Sequence, residues 1–103
     1  MVLHRLRSGL IYSQAFADYL ESKHNIERYG HPADMLHLDY VRCNQGDLAG
    51  QEWWQLTWIS GMQAPTEHRH SIGDVEVCIL RQAIRGLKNR MLHFDGQNVV
   101  VKS

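Results

Sequence analysis

From Leu10 onward the apolar positions recur with the period of a helix. Tyr12, Phe16, Tyr19 and Leu20 stand at i, i+4, i+7 and i+8, with Gln14, Asp18, Glu21 and Lys23 on the other side. Ser8 or Ser13 can cap the start. Lys23-His24-Asn25 suits the end, where cations meet the negative pole of the helix and Asn tolerates a left-handed turn. The spacing predicts a helix over residues 11–25. Ahead of it, Val2 to Leu6 reads as a short edge strand or an arm, broken by Ser8-Gly9.

Then the period changes. Glu27 to Asp34 reads as a loop around Pro32. Beyond it Leu36, Leu38 and Tyr40 alternate with His37, Asp39 and Val41, which predicts a strand over 35–43. A helix starting at Pro32 competes, because Met35, Leu38 and Val41 also fit a helical stripe. After a loop with two glycines, Trp54, Leu56 and Trp58 alternate with Gln55 and Thr57 in a β-prone run. These two strands can form an antiparallel hairpin.

A second loop carries Glu67-His68-Arg69-His70. Asp74 can then cap a second helix striped by Val77, Leu80, Ile84 and Leu87. Finally, Asp95-Gly96 between Met91–Phe94 and Val99–Val101 signals a closing hairpin. The predicted order is α-β-β-α-β-β. The predicted class is α+β, a small antiparallel sheet of about four strands with two helices packed on one face.

Composition narrows the class without naming a function. A chain of 103 residues holds one core, so a single domain over 1–103 is expected. With 44% hydrophobic and 21% charged residues, disorder is excluded. Eleven basic residues balance eleven acidic ones. The whole chain therefore has no positive field to attract nucleic acid, and only a local patch could do so. Seven histidines would make it cationic on mild acidification. Cys43 and Cys78 form no CxxC pair and read as reduced thiols. No signal peptide is recognisable and no run approaches the ~18 apolar residues of a membrane span. A cytoplasmic protein with no membrane partner is the default expectation. Zero net charge and an apolar terminal strand at a sheet edge favour self-association as a homodimer.

Four groups of residues carry possible chemistry. Trp53, Trp54 and Trp58, with Tyr40, offer an aromatic surface for a partner or for a flat or cationic ligand. On a strand, Trp54 and Trp58 face the core and Trp53 faces away. His68 and His70 have the spacing of a metal-binding pair, with no diagnostic third ligand. His37 and Asp39 share a strand face, where Asp39 could orient a general base. Arg81, Arg85, Lys88 and Arg90 form a basic helix face able to grip phosphates or an acidic partner. No catalytic or cofactor motif accompanies them, and no cofactor is expected. A non-enzymatic binding protein ranks first. A small metal-dependent or His-based enzyme comes second, and a nucleic-acid-associated regulator third.

Overall fold

The computed structural model of the chain describes residues 2–42, 45–87 and 89–102. Along the chain run β1 (Leu3–Arg5), β2 (Ile11–Ser13), α1 (Gln14–Glu27), β3 (Asp34–Arg42) and β4 (Glu52–Ser60). They are followed by β5 (Arg69–Ile72), β6 (Val75–Ile79), α2 (Arg81–Gly86), β7 (Met91–Phe94) and β8 (Val99–Lys102). The strands form two sheets, in the orders β1-β2-β7-β8 and β4-β3-β6-β5. In each sheet the central pair is parallel and the outer pairs are antiparallel.

The α+β class therefore holds, but the single antiparallel sheet does not. The parallel pairs β2–β7 and β3–β6 join segments far apart in sequence, and no local pattern announces such a pairing. At the first helix the difference is small. Ile11–Ser13 is held in a ladder by β1 on one side and β7 on the other, so α1 begins only at Gln14. Ser13 caps it, its Oγ accepting from the Phe16 N–H at 3.1 Å. The strand reading of the contested segment after Pro32 is the one observed.

The second helix differs more. Residues 69–79 form the hairpin β5–β6, with Ile72 opposite Val75 across a two-residue turn. Gly73 has φ +61°, the conformation that both favoured two-residue hairpin turns require of their first central residue. Val75, Val77 and Ile79 are all buried on one strand face. These β-branched residues stand at i, i+2 and i+4, a strand alternation that the competing stripe of Val77, Leu80, Ile84 and Leu87 hides, and the Gly-Asp turn decides between them. Only six residues remain for α2.

Both sheets share one core. Phe16 and Leu20 of α1 pack with Tyr12 and Leu92 of the first sheet and with Leu36, Leu38, Val77 and Ile79 of the second. Each such side chain contributes about 1.5–3 kcal/mol by leaving water. On the other face of the second sheet, Met35, Ala64 and Cys78 form a satellite cluster with Ile59 and Leu80. Cys43 and Lys88 lie outside the described residues. Among the described residues, no helix is long and apolar enough to cross a membrane.

Candidate functional site

The three tryptophans of β4 do not act as one surface. Trp54 faces inward, 8% exposed, with its ring tilted against Tyr40 at 4.4 Å between centroids. Trp53 faces the opposite way and is 43% exposed, directly across from Val41 of β3. Trp58 lies further along, at the C-terminal end of α1. Its indole N–H donates to Glu27 Oε1 at 2.9 Å, and its ring stacks on His31 at 4.5 Å. The same carboxylate is bonded by Lys23 at 2.9 Å. The Lys23 bond, and then the Trp58 bond, hold the Glu27 carboxyl below the usual carboxylate range. Trp58 lines a separate cavity of about 380 Å³ with His24, His31 and Asp34, apart from the other two.

Trp53 and Trp54 belong instead to a cleft between the sheets. β4 is the edge of one sheet and β8 the edge of the other. Cα atoms of the two strands come within 8 Å of one another, yet the strands are not paired. Strands in a ladder lie about 4.8 Å apart. Trp53, Trp54 and the segment Asn98 to Val101 enclose a cavity of about 330 Å³ there.

The main chain bordering this cleft can be assigned from the ladders. Gly61 N–H donates to the Ala33 carbonyl, and Asp95 N–H donates to the Asn98 carbonyl. Antiparallel pairs alternate between bonded and non-bonded, and counting from these two anchors settles the phase. Val100 and Lys102 bond to β7, so the N–H and C=O groups of Val99 and Val101 point away from it. By the same count, those of Trp54 and Leu56 point away from β3. Trp54 adds a further donor. Its indole N–H is buried and has no hydrogen-bond partner among the described residues. Buried donors are almost always paired, so this orphan on a residue that lines the cavity is a candidate contact for a ligand acceptor.

The other candidate residues separate clearly. His68 and His70 do line one cavity, but among the described residues no group of three or more His, Cys, Asp or Glu side chains could hold a metal ion. Arg81 and Arg85 stand one turn apart on α2, whereas Arg90 turns back to donate to the Gly86 carbonyl. Asp39 accepts from Gln55 Nε2 at 3.2 Å, and no hydrogen bond joins it to His37 among the described residues. Cys78 sits beside His37 in the parallel register, but burial pushes its thiol up, away from the reactive thiolate.

One pair escapes sequence reasoning altogether. Ser13 Oγ lies 2.7 Å from His93 Nδ1, eighty residues away, because β2 and β7 are parallel neighbours. Nucleophile and base have this geometry in hydrolases. Here Ser13 is 0% exposed and its oxygen already accepts from Phe16, so no substrate can reach it. The pair is a structural clamp.

No protein-family model matches this chain, no curated protein matches it in sequence, and no solved structure matches it in fold.

Proposed function

We propose that this domain is a non-enzymatic binding module whose β4–β8 cleft takes an extended polypeptide strand. The orphan indole N–H of Trp54, set between two unpaired strand edges, is the observation that supports this most. A strand docking along β8 would use the outward main-chain groups of Val99 and Val101 for affinity. Its side chains would rest against the exposed Trp53 ring, and one carbonyl would meet the Trp54 indole. The walls are valine and tryptophan, so the strand that fits is uncharged and rich in β-branched residues. The cavity volume, about 330 Å³, lies at the lower end of the range for ligand sites.

The test uses an end-blocked hexapeptide alternating threonine and valine, titrated into the protein and followed by NMR and tryptophan fluorescence. Resonances of Val99–Val101 and the Trp54 indole should shift. Val101→Pro should remove binding, since its N–H faces the free edge where proline is tolerated, and circular dichroism checks that the fold survives the loss of Val101 packing on the core. Equal binding by this variant would defeat the proposal. A wild-type dimer that Val101→Pro converts to monomer would identify the strand as one from a second copy.

A further inference from the structure

We propose that a second site, in the groove between the β1–β2 turn, α2 and β5, binds a small phosphate-bearing molecule. Two cavities of about 350 Å³ and 240 Å³ adjoin there, each bounded by Ser8 and Ile84. Arg5 and Arg85 line the larger cavity and Arg81 lines the smaller. The three guanidiniums come from two elements remote in sequence, and all three residues are exposed.

These three cations share one groove and are not paired within it. Elsewhere in the molecule Lys23 pairs with Glu27, Arg69 donates to the carbonyls of Ala64 and Gly61, and Arg90 bonds to Gly86. Arg5, Arg81 and Arg85 make no side-chain hydrogen bond or ion pair among the described residues. Arg81 and Arg85 repel one another across a single turn of a six-residue helix. In a chain of zero net charge, the three form a local excess of positive charge along the groove. The one acid in the lining, Glu67, is 3.7 Å from His68 and so is directed at that histidine.

The inner end of the groove supplies an independent sign of a ligand. His70 lines it, and His70 Nε2 is buried without a hydrogen-bond partner among the described residues. A bound molecule with phosphate among the arginines and a polar group at His70 would satisfy both features. Guanidinium forks from two sides match the tetrahedral oxygens of phosphate better than a planar carboxylate. A small molecule fits better than a nucleic-acid strand. No Trp, Tyr or Phe among the described residues lines the groove to stack bases, and the neutral chain provides no long-range attraction.

The test is isothermal titration of the full chain with inorganic pyrophosphate and with adenosine 5′-monophosphate, in roughly 50 mM salt to limit screening. Arg85→Gln and Arg81→Gln should each weaken pyrophosphate binding about tenfold or more, the usual effect of losing a charge-assisted bond. Lys102→Gln removes a positive charge outside the groove and should leave binding unchanged. Both arginines are exposed, so their variants should fold, which circular dichroism checks. The proposal is overturned if the wild type binds neither probe, or if Lys102→Gln weakens binding as much as the arginine variants. It is equally overturned if a ~20-nucleotide single strand binds and pyrophosphate does not displace it.

Discussion

Replacing Ser13 with alanine tests whether the Ser13–His93 pair clamps the fold. The hydroxyl has one proton and accepts one bond from the Phe16 N–H. Its proton or its second lone pair meets His93 Nδ1 at 2.7 Å, the direction set by the tautomer of the ring. Ser13→Ala removes the helix cap, at about 1 kcal/mol, and the bond to His93, at about 1 kcal/mol more. His93 is only partly buried, so water can replace the serine there, and no further penalty is added. The expected loss is about 2 kcal/mol, measured by urea denaturation with an unchanged m-value. That is a large share of the ~5–15 kcal/mol stabilising a domain, yet not enough to unfold it. His93→Ala should lose about 1 kcal/mol, and the double mutant should reveal a coupling of similar size. A loss below about 0.5 kcal/mol for Ser13→Ala would refute the clamp.

Three further outcomes follow from the packing and the charges. A Cβ at Gly86 would lie 3.1 Å from Tyr40 Cε1, so Gly86→Ala should destabilise by about 1 kcal/mol despite better helix propensity, again by urea denaturation. Cys78 should resist iodoacetamide in the native state and react in denaturant, as peptide-resolved mass spectrometry would show; equal rates would contradict its burial. His70 titrates below its ordinary range, first because burial disfavours the charged ring, while the nearby Ile79 main chain opposes the shift. Its stabilising contribution is therefore present above the unfolded pKa of about 6.5 and is lost as pH falls through the lower folded value. His70→Gln should flatten stability between about pH 7 and 5 relative to wild type, and an unchanged slope would count against the burial argument.

How far the sequence reveals the fold depends on the range of each interaction. The alternation in β4 is local, so the opposite facing of Trp53 and Trp54 is readable from period alone. The Asp95-Gly96 hairpin is equally local, with Asp95 Oδ1 accepting from the Gln97 and Asn98 N–H groups at 2.8 Å. At Gly73-Asp74 the information was present but ambiguous, since aspartate before an apolar run signals a helix cap as readily as a turn. What no local pattern contains is the parallel register. Ser13 meets His93, and Leu36 meets Val77, only through pairings that span 41 residues or more. The candidate cleft depends on the same long-range facts, which is why Trp58 could not be separated from Trp53 and Trp54 by sequence.

Splitting one expected sheet into two changes the functional problem as well as the topology. Two open sheets have four edges in place of two, and each exposed edge invites pairing. Here the edges are brought towards one another. On one side β8 approaches β4, and the join sets valine and tryptophan side chains around unpaired main-chain groups. On another the β1–β2 turn meets β5 and α2, and the join sets three unpaired arginines and a buried histidine nitrogen beside Ile79 and Ile84. A closed barrel would have spent these groups on ladder hydrogen bonds. Left open, one seam presents unpaired main-chain groups and the other unpaired guanidiniums, and each orphaned polar atom belongs to a residue that lines one of them.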